Sequence, residues 1–528
     1  MRTSWDYVII GAGSAGAALA ARLSEAPDRR VLLLEAGAWD ISPRLRVPGL
    51  VEGVIADRHV NWTYRGDPDP SLEGRSLTWA AGRVVGGSSS INGMVFGRGL
   101  PQDYARWVDA GNPGWGWDDL LPYFRRMEHW TGQRGPGRGA EGPLWVRRFE
   151  DTDGACAATM EALAGLGAPV VDDYCAGVAE GMGLTQATQK HGWRHSVASA
   201  YLAPARRRPN LTVTARAMAV GLMFEGRRCV GVKLRKNGRL VPVRARREII
   251  VCAGAIGSPK LLMLSGVGPA DDLRAHGLEV VNDLPGVGEG LNDHVNVLLS
   301  AFVDRPTYNT ARRGWRALAA GVRFALWGKG PVSSPANHVQ AFLRTDPGQA
   351  AADVQLQVMP FGFGTREEMA RNGLTVVVSP CRPQARGRVR LRSADPTAPP
   401  RITMAMLGIE ADRQALLRGA KLACAALMEG PGRVMGGRVY APEREPLDDD
   451  AWLAFFRRTA GLNWHPTSTC RMGPGPDAVV DGRLRVHGLD GLRVVDASIM
   501  PSVTSGNTNG PVIAIAERAA DLIAQDNP

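Results

Sequence analysis

The stretch "DYVIIGAGSAGAALAARLSEAPDRRVLLLEAG", residues 6–37, constrains the fold more than any other part of the chain. Tyr7 to Ile10 form a short apolar run of the kind buried in a parallel sheet. Gly11, Gly13 and Gly16 then spell G-x-G-x-x-G, and Ala17 to Leu23 read as a helix. Val31 to Leu34 make a second buried strand, closed by Glu35 and Ala36. This order predicts a strand–turn–helix–strand unit that binds a dinucleotide. Gly11 permits the tight turn, Gly13 lets the backbone approach a pyrophosphate, and Gly16 lets helix and strand pack closely. The helix N-terminus offers free N–H groups and a positive dipole end to the phosphates. Glu35, roughly 20 residues past the last glycine, can accept from ribose hydroxyls. A glycine-rich turn without a ligand gives Glu35 no role. The motif alone does not choose between FAD and NAD.

At 528 residues the chain exceeds what one hydrophobic core supports, so two or more compact units are expected. Apolar content of 44% with 22% charged residues is that of a soluble globular protein. The net charge of +11 is mostly arginine spread along the chain. Short clusters at Arg206 to Arg208 and Arg244 to Arg247 make neither a basic stripe nor a known module, so nucleic acid is not an expected partner. Seven scattered cysteines, with no C-x-x-C pair, read as reduced thiols. No apolar run approaches the ~18 residues of a membrane span. The first strand begins by about Asp6, which leaves no room for a leader, and the expected location is cytoplasmic.

Chemistry-bearing side chains are few. His465 precedes Pro466, which disfavours the α region and places the ring on extended backbone. His191 and His195 have i,i+4 spacing but lack a third ligand and the Glu of H-E-x-x-H, so no metal is expected. His294, after a glycine-rich turn, reads as structural, and Cys470 as a small packed residue. The absence of G-x-S-x-G argues against a serine hydrolase. Asn237-Gly238, between apolar-alternating runs, predicts a hairpin turn.

"GRVVGGSSSINGMVFGRG" (82–99), "GAIGSPKLLMLSGVGP" (254–269) and "GLRVVDASIMPSVTSGNTNGPVIAIAERAADLI" (491–523) add what the first motif lacks. With the N-terminal fingerprint and "HPTSTCRMG", they resemble the glucose–methanol–choline (GMC) flavoprotein oxidoreductases from about residue 5 to 525. The layout is similar to the alcohol, choline and sorbose dehydrogenase branch. The resemblance implies a fold of α/β and α+β parts. One is a Rossmann-like FAD domain of discontinuous segments, at residues 1–155, 205–295 and 455–528. The other is a substrate domain at residues 156–204 and 296–454, with an antiparallel sheet flanked by helices.

The same resemblance implies FAD, with its ADP half on Gly11, Gly13, Gly16, Glu35 and Ala36. Arg83, Gly86, Gly87, Ser88, Asn92, Gly93, Met94 and Val95 are implied beside the flavin and ribityl. Ala219 is implied at the adenine, and Asp496 and Ala497 at the pyrophosphate and ribityl. The implied catalytic pair is His465 as general base and Asn509 on the substrate oxygen. The implied reaction takes a CH–OH group to the carbonyl by hydride transfer to flavin N5. Pro511 suits the first turn of a final helix, whose N-terminus, with the Gly510 N–H, is expected at the flavin pyrimidine edge. Ile91 stands where covalent members carry a linking histidine, so FAD is expected to be non-covalent. Cys381, in "SPCRPQARG", matches a cysteine of photodecarboxylases in this family and is read as a core residue. A small alcohol is the expected substrate, with oxygen, quinone or another carrier as electron acceptor. A lyase on the same scaffold and an NAD(P)-dependent dehydrogenase are the competing readings.

Overall fold

The computed structural model describes residues 5–311, 314–443 and 448–527. Two seven-stranded sheets carry the architecture. In chain order their strands are β1 (Trp5–Ile10), β2 (Val31–Leu34), β3 (Gly181–Leu184), β4 (Leu211–Thr214), β5 (Met218–Glu225), β6 (Arg228–Lys236) and β7 (Arg239–Val251). There follow β8 (Val295–Phe302), β9 (Val339–Leu343), β10 (Val354–Met359), β11 (Gly373–Pro380), β12 (Arg438–Ala441), β13 (Gly461–Leu462) and β14 (Leu492–Val494). The helices that matter most are α1 (Ser14–Leu23), α2 (Val51–Ala56), α3 (Gly314–Trp327), α4 (Glu410–Leu427) and α5 (Asn509–Asp526).

The first sheet runs β4-β2-β1-β7-β6-β5, with β14 added to β7. β1 pairs in parallel with both β2 and β7, and all six of its residues are buried, as its apolar run requires. β6 and β7 form the expected hairpin. Asn237 and Gly238 take φ of +50° and +75°, the two positive angles of a tight type I′ turn. Residues from both ends of the chain complete this layer. β14 extends the sheet, and Arg22 of α1 bonds Glu517 of α5 at 2.8 Å. The Glu517 carboxylate is fully buried and also takes Arg126 at 2.7 Å and the Tyr201 hydroxyl at 2.6 Å. These partners are what make a buried charge tolerable there.

The second sheet runs β12-β8-β11-β10-β9-β3, with β13 on β8, and its large-strand pairings are antiparallel. Its strands alternate with period two. Val295, Val297, Leu299, Leu356, Val358, Val376 and Val378 pack with Leu416, Ala420 and Ala423 of α4. Asn296, Leu298, Gln357, Met359 and Val377 take the opposite face and line a cavity. The pleat therefore puts one apolar face into a core and hands the other to the site. All seven cysteines are buried and none forms a disulfide, Cys381 and Cys470 among them.

Candidate active site

The cavity, about 760 Å³, runs from the first βα turn to His465. Gly11, at the end of β1, has φ +104°, and a Cβ there would lie 2.4 Å from the Cys252 carbonyl oxygen. A Cβ on Gly16 would meet the Gly11 carbonyl at 1.9 Å, so this glycine serves helix–strand packing and does not itself line the cavity. Gly86 and Gly87 bring a second turn onto the first. The Gly86 N–H donates to the Ala12 carbonyl at 2.7 Å, and a Cβ on Gly87 would stand 2.6 Å from the Gly13 Cα.

α1 starts with no side-chain cap at Gly13, and Gly13, Ser14 and Ala15 face the cavity. Uncapped amides at a positive dipole end suit a pyrophosphate. Glu35 lines the same end. Its carboxylate accepts from the N–H groups of Ala12 at 3.0 Å and Gly37 at 2.7 Å. Burial pushes it up to about 7 against those two bonds. Ala36, Ser88, Ala219, Asp496 and Ala497 complete this stretch of wall. Asp496 accepts from the Gly254 N–H and the Ser258 hydroxyl.

Asn92, Gly93, Met94 and Val95 line the next stretch. Met94 holds φ +63°, an uncommon angle for a side-chain-bearing residue, and its N–H donates to Asn92 Oδ1 at 3.0 Å. The same oxygen takes the buried Arg194 guanidinium at 2.8 Å. Arg194 thus stiffens this loop, a role the sequence did not signal. His195 beside it accepts from the Trp145 N–H. Arg83 is exposed and lies over the Trp62 ring at 4.9 Å, and neither it nor Gly86 lines the cavity.

At the far end the backbone of residues 463–467 lies against residues 292–294. Asn463 N–H donates to the His294 carbonyl, and Thr467 N–H to that of Asn292. Asp293 ties the segment down, accepting from the His465 N–H at 2.8 Å, the His294 N–H at 2.7 Å and the Trp79 indole at 2.9 Å. Burial pushes this carboxyl up to about 7. Trp464 sits at φ +58°, so local strain just before His465 is held by these bonds.

His465 has two ring partners. Its Nδ1 lies 3.0 Å from His294 Nδ1, and its Nε2 lies 3.1 Å from Asn507 Nδ2. His294 Nε2 lies 3.1 Å from the Cys381 carbonyl, which can only accept. The tautomers follow from these partners. His294 carries its proton on Nε2 and a lone pair on Nδ1. His465 must then donate from Nδ1, which leaves the Nε2 lone pair facing Asn507 and the cavity. Burial, and behind it the neighbouring His294, holds His465 well below the ordinary histidine range. Burial lowers His294 to about 4.

One expected pairing is corrected here. Asn509 is not beside His465. It is the first residue of α5, and its Oδ1 accepts from the Ser14 hydroxyl at 2.6 Å, joining the starts of α5 and α1. Asn507, still in the loop, reaches the imidazole instead. Gly510 packs against Gly97, where a Cβ would meet the carbonyl oxygen at 2.2 Å, and does not line the cavity. His294, read as structural from sequence, is the residue that fixes the tautomer.

The comparisons with known proteins decide the family. Models described as GMC oxidoreductase match residues 5–296 and 383–516. The chain is a GMC oxidoreductase. Oxygen-dependent choline dehydrogenase of Sinorhizobium fredii is 39% identical over 533 residues, covering 99% of this chain and 96% of that protein. Pyridoxine 4-oxidase from Mesorbium loti superposes with TM-score 0.89 at 32% identity, covering 98% of each chain. Formate oxidase of Aspergillus oryzae RIB40, a structure concerned with FAD modification, superposes with TM-score 0.92 at 27% identity over 99% of each chain. This GMC oxidoreductase uses FAD and oxidises CH–OH groups of its donors. The cavity fits the cofactor: an uncapped helix start, a buried acid one strand away and a glycine-floored passage lie between Gly11 and Val95. No helix among the described residues is long and apolar enough to cross a membrane.

Proposed function

We propose that His465 is the base that takes the substrate hydroxyl proton, with Asn507 as its partner on the same oxygen. The observation that carries this is the chain Cys381 carbonyl–His294–His465–Asn507, in which the Nε2 lone pair accepts from Asn507 Nδ2 at the cavity wall. A substrate hydroxyl that displaces this bond donates to Nε2 and accepts from Nδ2. When bound, FAD supplies the acceptor for the carbinol hydride. His465 receives the proton at Nε2, and its Nδ1–H still points at the neutral His294 acceptor, so the imidazolium keeps a partner. Asp293 and the Asn463–Thr467 pairing hold the ring's backbone still, which is positioning. Ile91 lines the cavity with a side chain that cannot bond a flavin, which supports non-covalent FAD.

The substrate is a neutral alcohol with an apolar body. The acids on the cavity wall are Glu35 and Asp496, at the nucleotide end, and Glu52, an exposed residue of α2. Opposite His465 the sheet shows Asn296, Leu298, Gln357, Met359 and Val377, followed by Phe361 and Phe363. Asp293, behind His465, does not line the cavity, so a substrate with a fixed positive charge, such as the choline in the relatives' names, meets no carboxylate among these wall residues.

Anaerobic bleaching of the flavin by neutral alkyl and aryl primary alcohols tests both statements. We expect kcat/KM for the better neutral alcohols to exceed that for choline by about tenfold or more, the scale of one unmet charge contact. Preference for choline would discard the neutral-substrate reading. Bleaching that His465→Ala leaves as fast as wild type would discard the base. Repeating the assay in air and with a quinone identifies the electron acceptor.

A further inference from the structure

α3 exposes apolar side chains that a surface helix normally hides. Trp315 is 76% exposed, Leu318 72%, Val322 48% and Leu326 65%. At 100° per residue these four fall on one side of the helix, a stripe about 17 Å long. Ala320 and Phe324 take the opposite side and are buried, with the Phe324 ring 4.5 Å from that of Trp193. The helix is therefore anchored by one narrow face while a wider apolar face looks outward. Such a contiguous patch marks a contact surface.

Charge decides what covers it. From Arg305 to Arg344 the sequence holds seven arginines and lysines and no Asp or Glu. Arg316 and Arg323 run along one side of the stripe, and Lys329 follows the helix. Asp151 reaches this region, pairing with Arg323 at 3.2 Å and accepting from the Gly330 N–H. Trp327, 64% exposed, closes the C-terminal end. Apolar stripe, a basic flank and tryptophans at both ends of the helix are the pattern of a helix lying in a bilayer interface. An antiparallel two-fold contact between copies would instead set that cationic flank against its own duplicate.

The geometry points to α3 as a peripheral membrane anchor that seats this enzyme on anionic lipid. Its position bears on the site. Residues 331–333 follow α3 as a short turn, and Ser334, Pro335 and Ala336 then line the cavity. Val332 of that turn abuts Gly49, whose neighbours Pro48 and Val51 also line the cavity, and Leu50 beside them is 45% exposed. The anchor and the cavity mouth thus share a face of the molecule.

Vesicle flotation of the FAD-loaded, full-length protein tests this, with phosphatidylcholine alone and with phosphatidylglycerol added. The expected result is flotation with the anionic vesicles, weakened by high salt. Leu318→Glu/Leu326→Glu should cut the bound fraction by about tenfold or more, with visible spectrum and alcohol oxidation in solution unchanged. Wild-type protein that stays at the bottom of the gradient with both vesicle types overturns the proposal. So does flotation that the double variant retains. A dimer in light scattering that the double variant splits, without flotation, assigns the stripe to a second copy instead.

Discussion

At the scale of single residues, the roles of the two asparagines separate. Removing a positioned acid–base group costs ~10²–10⁴-fold in rate, and His465→Ala is expected to slow anaerobic flavin reduction by that much while the protein stays yellow. Asn507→Ala should cost about 10- to 100-fold in the same step, since one donor to the reacting oxygen is lost. Asn509→Ala should instead lower FAD content, because its bond is to Ser14 and its place is at the meeting of two helix starts. Flavin-normalised rates distinguish the two outcomes; an Asn509→Ala enzyme with full FAD and slow reduction would reverse the assignment. The pH dependence carries a sign. Neutral His465 is the working form, and burial lowers its pKa, so protonation sets in only on the acid side of the ordinary value. Reduction should therefore be flat through neutrality and fall only on the acid side of the ordinary histidine value, a limb absent in His465→Ala. A limb centred near 7 would contradict the buried, His294-facing environment.

Elements repeat the contrast between what a sequence shows and what it hides. The first βα turn was legible because each glycine does one local job, and the Asn237-Gly238 hairpin because both angles belong to those two residues. The family resemblance marked the loop before α5 as catalytic. It did not say which asparagine faces the ring, since Asn507 and Asn509 differ only in lying before or inside the first turn of a helix. His294 and His465 are 171 residues apart, and no local pattern announces that Nδ1 will meet Nδ1. Arg194 was hidden in the same way, sitting in a stretch weighed for metal binding while its guanidinium braces Asn92. The contact of α1 with α5 offers an element-scale test. Glu517→Gln leaves Arg22 and Arg126 without their shared charge. Because both guanidiniums reach water, the expected loss is about 3 kcal/mol, the low end for a broken buried pair. A fall in FAD-loaded melting temperature with weaker FAD retention checks it; an unchanged melt would mean the carboxylate is not needed as a charge.

Over the whole molecule, the cofactor passage joins segments from every quarter of the chain. Acid precipitation should release the yellow colour into the supernatant, as Ile91 offers no atom for a covalent link; colour left in the pellet would show another residue bonding the flavin. FAD binds only the assembled passage, so adding it should raise the melting temperature in a concentration-dependent way. The order of assembly follows from the packing of α1 on α5. A ribosome adds about 5–20 residues each second, so α1 waits on the order of a minute for the helix that covers it. During that interval Ala17, Ala18 and Leu19 are a sticky surface on a nascent chain, and the Ser14–Asn509 link does not yet exist. Flavin capture then waits until α5 has been made. A chain cut short before α5 stays colourless and becomes work for the chaperones.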